Sequence, residues 1–106
     1  MTDMLTKMAR GRDCQIRLPG ICCFDPETTV LAHVRLPGVS GFGIKAHSML
    51  GAWACYRCHQ AVDSPATHGL DRDAAMLAHL QGVMRTQDQL LAEGVIHVAR
   101  PGKKAA

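Results

Sequence analysis

The clearest hydrophobic pattern in the chain lies in its last third. Apolar residues recur there at the spacings of one helix face; they are Met76, Leu77, Leu80, Val83, Met84, Leu90 and Leu91. Asp71 or Asp73 can cap the start of this helix, and Gly94 stands where a C-cap glycine would end it. We therefore predict a long helix that covers a small domain and carries no chemistry of its own.

Two earlier segments have the character of β-strands. Within residues 14–21 apolar and polar side chains alternate, and Pro19-Gly20 is a turn signal. This pattern predicts a strand and a hairpin turn that returns the chain to Cys22. Residues 29–36 are rich in β-branched and aliphatic side chains, which predicts the central strand.

The remaining segments are shorter. Residues 1–13 predict a short helix or arm, and residues 37–45, with three glycines and a proline, predict a loop. A second helix should start at the CxxC knuckle, carry His59 and stop near Asp63, because Pro65 disfavours a helical conformation of the residue before it. Residues 95–98 predict a last short strand.

Five cysteines occur in 106 residues. No apolar run approaches the roughly 18 residues of a transmembrane helix. The N-terminus lacks the apolar core of a signal peptide. We therefore expect a cytoplasmic protein without a membrane partner, in which thiols stay reduced and serve as metal ligands. Only four residues are aromatic, so the core is small and a bound metal would stabilise it.

The spacing of the cysteines predicts one structural Zn²⁺. Cys14 and Cys22 flank the predicted hairpin, and Cys55 and Cys58 form a CxxC knuckle, so two knuckles supply the four ligands of a tetrahedral site. Cys23 could replace Cys22, but the loop would then have to turn the other way. Buried free thiols are an alternative. A redox pair is disfavoured, because no thioredoxin-like βαβ pattern surrounds the CxxC.

Excess positive charge lies in the part of the chain that holds the cysteines. The formal net charge is +3, and residues 1–60 contain seven Lys/Arg against four acids, whereas the remainder balances at five against five. This distribution favours a polyanionic partner such as nucleic acid, although a solvated basic surface is an alternative. Arg35, Lys45 and Arg57 are the candidate phosphate contacts.

Three further residues suggest a second site. His59 and Asp63 are spaced i, i+4, which places them on one face of the helix that follows the knuckle. His59 could instead join the zinc beside Cys58. His33 lies in the predicted central strand, ahead of the glycine-rich loop. A strand histidine, such a loop and a helix that starts at a zinc knuckle form the order of parts in ββα-metal, or HNH, nucleases.

The chain resembles the YbcO type of small prophage-encoded nuclease over about residues 8–96. The resemblance is carried mainly by Ala32-His33-Val34-Arg35-Leu36-Pro37-Gly38, Gly41-x-Gly43-x-Lys45 and Ala54-Cys55-x-x-Cys58-His59-x-x-x-Asp63. It implies an α+β fold: a small zinc-stapled ββα-metal (HNH-like) core with a long C-terminal helix packed on it. It also implies a phage- or prophage-encoded, metal-dependent endonuclease that hydrolyses phosphodiester bonds, with DNA as the expected nucleic acid.

The resemblance further implies roles for individual residues. In HNH enzymes the strand histidine is the general base and the helix histidine binds a divalent ion. By position, the catalytic residues are His33 and His59, and His59 and Asp63 bind the catalytic Mg²⁺ or Mn²⁺. Many HNH sites carry an acidic ligand before the base, where this chain has Ala32. Further groups that could join the site are His47, Ser48 and His68.

We expect a single domain over residues 1–106, with the zinc-stapled core at about 9–68 and the covering helix and tail at about 71–106. The alternative function is a non-catalytic zinc-ribbon module that binds nucleic acid or protein. His33 separates the two hypotheses, because a pure binding module has no need of a strand histidine facing His59.

Overall fold

Two short strands form an antiparallel sheet at the centre of the fold. Strand β1 is Val30–His33 and strand β2 is Gly51–Ala54. The register places His33 opposite Gly51 at one end of the pair. The central strand predicted over residues 29–36 is thus confirmed in its middle, and β2 is a strand that the sequence pattern did not predict.

Three α-helices accompany the sheet in the computed structural model, which describes residues 3–36 and 47–99. They are α1, Met4–Met8; α2, Tyr56–Asp63; and α3, Arg72–Ala92. The end of α2 falls where the sequence predicted it. Among the described residues, β1, β2 and α2 follow one another in ββα order, and the long α3 comes after them. The fold is α+β, as expected.

The strand predicted over residues 14–21 is wrong. Arg17 has a φ of 54°, a left-handed conformation that interrupts an extended chain. The N–H groups of Ile21 and Cys22 both donate to the carbonyl oxygen of Leu18, which closes a turn. The chain therefore returns to Cys22 as the predicted hairpin would, but it does so without a β-ladder.

The short strand predicted over residues 95–98 is also wrong. Gly94 has a φ of 75°, which glycine adopts without steric cost. The N–H groups of Val95 and Ile96 then donate back to the carbonyl oxygen of Leu90, at 3.0 and 3.4 Å. These bonds satisfy a carbonyl in the last turn of α3 and fold the following residues onto the helix end. Gly94 thus ends the helix as predicted.

Helix α3 lies across β2 through a face of small and polar residues. Its buried positions are Ala75, His79, Gly82, Val83, Thr86 and Leu90. Two members of the predicted apolar stripe, Leu77 and Met84, are 58% and 62% exposed. A Cβ atom on Gly82 would lie 2.8 Å from Cγ1 of Ile16 and 3.1 Å from Cβ of Ala52, so glycine allows the close approach. Among the two candidate caps it is Asp71 that accepts the N–H of Ala74, at 2.9 Å.

Side chains of α3 also satisfy backbone groups at the outer side of β2. Thr86 Oγ1 accepts the N–H of Trp53 at 3.0 Å, and the Gln87 amide donates to the carbonyl oxygen of Met49 at 2.6 Å. The carbonyl oxygen of Trp53 accepts the N–H of Gln15 at 2.6 Å. Since α3 and the cysteine-bearing loop satisfy Trp53, no third strand is needed there.

Candidate metal centre and histidine site

Four cysteines converge into one cluster of thiols. The Sγ atoms of Cys14, Cys22, Cys55 and Cys58 all lie within 4.8 Å of one another. The Sγ atoms of Cys22 and Cys55 are 3.8 Å apart. In a tetrahedral site with Zn–S bonds of about 2.3 Å, neighbouring sulfurs are separated by roughly 3.8 Å. The donor set and its spacing therefore fit a soft, tetrahedrally ligated cation such as Zn²⁺.

The backbone around the cluster is arranged to stabilise thiolates. Cys55 is the N-cap of α2, and its Sγ accepts the N–H of Cys58 at 3.4 Å. Cys14 Sγ accepts the N–H of Arg17 at 3.5 Å. The N-terminus of a helix and N–H···S bonds both favour negative charge on sulfur. The left-handed turn at Arg17 is what aims that N–H at Cys14.

Hydrogen bonding and burial shift the pKa values of the clustered thiols in different directions. A hydrogen bond with Cys58 lowers the pKa of Cys14, and the same bond raises the pKa of Cys58. Burial raises the pKa of Cys22. Because metal ligation requires deprotonated thiols, binding of a cation would displace the protons held by this cluster.

Cys23 is not one of the four clustered thiols, although its side chain also interacts with Cys55. Its Sγ is 3.6 Å from Oγ1 of Thr28, and the Thr28 hydroxyl in turn donates to the carbonyl oxygen of Asp25 at 2.8 Å. The turn closed at Leu18 directs Cys22, rather than Cys23, toward the other three thiols. Of the two alternatives left by the sequence, the geometry thus groups Cys22 with the remaining cysteines.

His59 and Asp63 lie together on α2. Their Nε2 and Oδ2 atoms are 3.8 Å apart, and the same Oδ2 lies 3.8 Å from Nη2 of Arg35. One ion ligated at roughly 2.1 Å can bridge donors up to about 4.2 Å apart, so this pair fits a shared divalent cation. The Arg35 side chain is 76% exposed, so its ion pair with Asp63 stabilises the fold little.

His33 ends β1 and is half-buried. Asp3 lies near it, and sequence analysis did not single out this residue. The Asp3 carboxylate accepts the Ser48 hydroxyl and, at 2.9 Å, the N–H of Thr6. The Ser48 hydroxyl, the Thr6 N–H and, more weakly, the charge of His33 lower the pKa of Asp3 to about 2. Asp3 is therefore an ionised carboxylate that interacts electrostatically with the predicted general base.

His79 on α3 is a second residue that sequence analysis missed. It is 4% exposed, and its Nε2 lies 2.8 Å from the carbonyl oxygen of Ala32. Burial lowers its pKa, with His59 acting in the same direction and Asp63 opposing it. The charges of Asp63 and His59 on α2 therefore both act on His79. The burial of His79 could have been predicted from the sequence. This residue lies three positions after Met76 and four before Val83, both apolar, and so shares their inward face of the helix.

The predicted nucleic-acid contacts lie in different surroundings. Arg35 follows β1 and is paired with Asp63, as described above. Arg57 is exposed in the first turn of α2, beside the exposed ring of Tyr56. Lys45 lies outside the described residues, as does the predicted loop over residues 37–45. Within the described part of the chain, two of the three candidates are therefore solvent-accessible cations near α2.

The residues considered as additions to the site make local hydrogen bonds. His47 Nδ1 accepts the N–H of Met49 at 3.1 Å, and Ser48 donates to Asp3. His68 Nδ1 lies 3.1 Å from the carbonyl oxygen of Ser64. Ser48 thus bonds the same carboxylate on which the charge of His33 acts. Across residues 3–36 and 47–99, no helix combines the length and apolar character that a membrane crossing requires.

The fold and the cysteine cluster define a small α+β protein with a candidate four-thiolate metal site. The family model described as "Putative nuclease YbcO" matches residues 3–95, and the chain belongs to this family. It is 48% identical over 92 residues to Putative nuclease YbcO of Escherichia coli K12, covering 87% of this chain and 95% of the relative. A relative from Enterobacteria phage 82 with the same description matches to the same extent.

A solved structure is similar as well. It is described as the structure of a putative bacteriophage protein from Escherichia coli K-12 MG1655. The TM-score is 0.71 at 43% sequence identity, and the match covers 85% of this chain and 99% of the solved one. The fold described above is therefore shared across nearly the whole of that chain.

Proposed function

We propose that this protein is a metal-dependent endonuclease that hydrolyses phosphodiester bonds in nucleic acid, with DNA as the expected substrate and a phage or prophage as its source. The observation that carries the proposal is the position of His33 at the end of β1, with His59 and Asp63 on the helix that follows β2 and the CxxC knuckle. This is the order of parts in HNH nucleases. The descriptions of the relatives as putative nucleases support it.

The zinc has a structural role in this proposal. Cys14, Cys22, Cys55 and Cys58 hold one Zn²⁺, which joins the irregular loop at residues 14–22 to the start of α2. That loop has no β-ladder of its own, so the ion takes the place of the missing backbone pairing. The metal therefore fixes the N-terminus of the helix on which His59 and Asp63 stand.

Catalysis is assigned to the histidines. His59 and Asp63 hold a divalent cation, Mg²⁺ or Mn²⁺, which when bound supplies Lewis-acid stabilisation of charge on the phosphate. His33 accepts a proton from the attacking water. The charge of the ionised Asp3, which interacts electrostatically with His33, favours the imidazolium that this proton transfer produces. His79 bonds the backbone next to His33 and so acts as a positioning residue.

Nucleic acid would reach this site over a basic surface. Arg35 and Arg57 flank the pair on α2 and are exposed, so they can contact phosphates without reading sequence. Lys45 is proposed as a third contact on sequence grounds. We further propose that residues 1–106 form a single domain, with the zinc-stapled core at about 9–68 and its covering helix and tail at about 71–106.

The test is the conversion of supercoiled plasmid to nicked circle with Mg²⁺ or Mn²⁺, and its loss on chelation, with zinc content measured before and after. His33→Ala should lower the cleavage rate by roughly 10²-fold or more, the usual scale of general-base catalysis. His97→Ala is the matched control, because His97 is exposed beyond α3. If the zinc-loaded protein binds DNA and never nicks it, the non-catalytic binding module becomes the better description.

A further inference from the structure

A groove separate from the histidine site runs between the loop that carries Cys14 and the C-terminal half of α3. It has a volume of about 330 Å³ and is lined by Gln15, Arg17, Arg85, Asp88, Gln89 and Ala92. The four helical residues are spaced i, i+3, i+4 and i+7, so they form one stripe of α3. The volume is at the lower end of the roughly 300–1,000 Å³ typical of ligand sites.

One buried residue organises this groove. Gln15 is 2% exposed, and its side-chain oxygen accepts Nη2–H of Arg17 at 3.0 Å. Its backbone carbonyl accepts Nη1–H of Arg85 at 2.7 Å. Its side-chain amide donates to the carbonyl oxygen of Asp13 at 3.1 Å, and its N–H donates to Trp53. Because its side-chain oxygen and its backbone carbonyl each accept an arginine N–H, Gln15 positions the two guanidinium groups.

Both arginines keep donors for a ligand. A guanidinium has five N–H groups. Arg17 uses one on Gln15 and one on the carbonyl oxygen of Cys14 at 3.2 Å, whereas Arg85 uses one on Gln15. The remaining N–H groups suit the paired oxygens of a phosphate. Asp88 is the opposing charge in the lining, so the groove carries two positive charges against one negative.

The backbone of Arg17 adopts an unusual conformation. Its φ of 54° is rare for a residue with a β-carbon, and such conformations persist where the surroundings enforce them and often where function uses them. Part of the explanation is the N–H donated to Cys14 Sγ. The same turn presents the guanidinium of Arg17 to the groove, so the loop that supplies a thiol of the metal cluster also supplies one wall of the groove.

We propose that this groove binds the phosphodiester backbone of nucleic acid through Arg17 and Arg85, as a second contact outside the histidine site. Gln15 is the residue that positions both. The inference rests on the proposed function in taking nucleic acid as the ligand. Such a contact would fix the strand at a distance from the cleaved bond and would add affinity without sequence preference.

The experiment measures binding of a fluorescent duplex oligonucleotide by anisotropy over a salt series, without added Mg²⁺ or Mn²⁺. Each neutralised phosphate contributes about 0.9 to the slope of log affinity against log salt. Arg17→Gln and Arg85→Gln should each reduce that slope by about 0.9 and weaken binding several-fold. Asp88→Asn should tighten binding, because it removes the negative charge from the groove.

Arg72→Gln is the matched control. Arg72 is exposed in the first turn of α3, roughly 20 Å along the helix from Arg85 at 1.5 Å per residue. The Arg72→Gln substitution removes the same charge as the groove variants and should leave the slope of log affinity against log salt unchanged. Zinc content and circular dichroism show whether each variant is folded. If Arg85→Gln loosens the loop, the exposed positions Arg17 and Asp88 still decide the matter.

The groove proposal is overturned if the wild-type protein does not bind the duplex, if Arg17→Gln and Asp88→Asn bind like wild type, or if Arg72→Gln weakens binding as much as Arg17→Gln does. Its failure differs from that of the nuclease proposal. Unchanged binding by Arg17→Gln with cleavage by the wild-type protein rejects the groove alone. A reduced slope for Arg17→Gln without any cleavage supports the groove and rejects the nuclease.

Discussion

His79 and Ala32 join the covering helix to the first strand, with Nε2 of the histidine 2.8 Å from the carbonyl oxygen of Ala32. A carbonyl can only accept, so Nε2 carries the proton. Ala32 directly precedes His33 in β1. Helix α3 therefore holds the backbone on which the proposed general base stands.

We predict that His79→Ala destabilises the fold and lowers cleavage together. It leaves a cavity and an unpaired carbonyl at Ala32, and a buried group without its partner costs about 1–3 kcal/mol. Urea unfolding measures the loss. His79→Gln, which keeps a side-chain N–H, should recover part of the stability. Equal unfolding midpoints for wild type and His79→Ala would contradict this assignment.

The lowered pKa of His79 predicts a loss of stability in weak acid. An unfolded histidine titrates near about 6.5, and folded His79 titrates lower because it is buried. As the pH falls below the pKa of the unfolded histidine, the unfolded state binds a proton that the folded state does not. The free energy of unfolding therefore decreases until the pH reaches the lower pKa of the folded state. His79→Gln should lose less stability between about pH 7.5 and 6. If the unfolding free energies of wild type and His79→Gln change in parallel with pH, at constant zinc content, His79 is not the source of the pH dependence.

Removal of one thiol should unfold the protein. Structural zinc contributes on the order of 10 kcal/mol in small zinc modules, so Cys58→Ser should lose both the metal and the cooperative thermal transition. Cys23→Ser is the control, because Cys23 is not one of the four clustered thiols and its Sγ contacts the Thr28 hydroxyl. Zinc content by elemental analysis is the readout. A Cys58→Ser protein that retains one zinc per chain would exclude Cys58 as a ligand.

Gly82→Ala should destabilise the fold although alanine favours helices. Helix propensity would add up to about 1 kcal/mol. The new methyl would lie 2.8 Å from Ile16 Cγ1 and 3.3 Å from the carbonyl oxygen of Gln15, and overpacking of this kind costs about 1–3 kcal/mol. Chemical denaturation should show a net loss. Gln81→Ala, at the neighbouring exposed position, should not lose stability.

The two histidines that we propose as catalytic should respond differently to metal. His59→Ala removes a proposed ligand of the divalent ion but leaves Asp63, so excess Mn²⁺ should partly restore cleavage. His33→Ala should not respond, because no added metal replaces a missing proton acceptor. Both variants should retain zinc. If Mn²⁺ restores both or neither, the division of roles between His33 and His59 is wrong.

Local signals in the sequence predict much of this structure. The CxxC pair, the proline after α2, the Asp71 cap and the glycine after α3 each act within a few residues of the feature they determine. The cysteine cluster was also predictable. Each of its two pairs, Cys14 with Cys22 and Cys55 with Cys58, is close in sequence, so a single contact between the two pairs completes it. The pairing of His59 with Asp63 on α2 followed from their i, i+4 spacing alone.

The remaining features depend on contacts between distant segments. Alternation over residues 14–21 is typical of a strand, yet the N–H of Arg17 bonds a thiol and Gln15 pairs with Trp53. Strand β2 is too short and too rich in small residues for its propensity to indicate a strand. His79 was overlooked because its partner, Ala32, lies 47 positions away. Tertiary contacts decided all three.

The position of α3 along the chain has a consequence for biosynthesis. All four clustered cysteines precede residue 59, whereas the groups that hold the sheet from outside, Thr86 and His79, come later. A nascent polypeptide can thus ligate its metal before the strand pair is secured. We expect the histidines proposed as catalytic to reach their final arrangement only after α3 has been translated. If the nuclease proposal holds, a ribosome-bound fragment ending before residue 72 would carry zinc without cleaving nucleic acid.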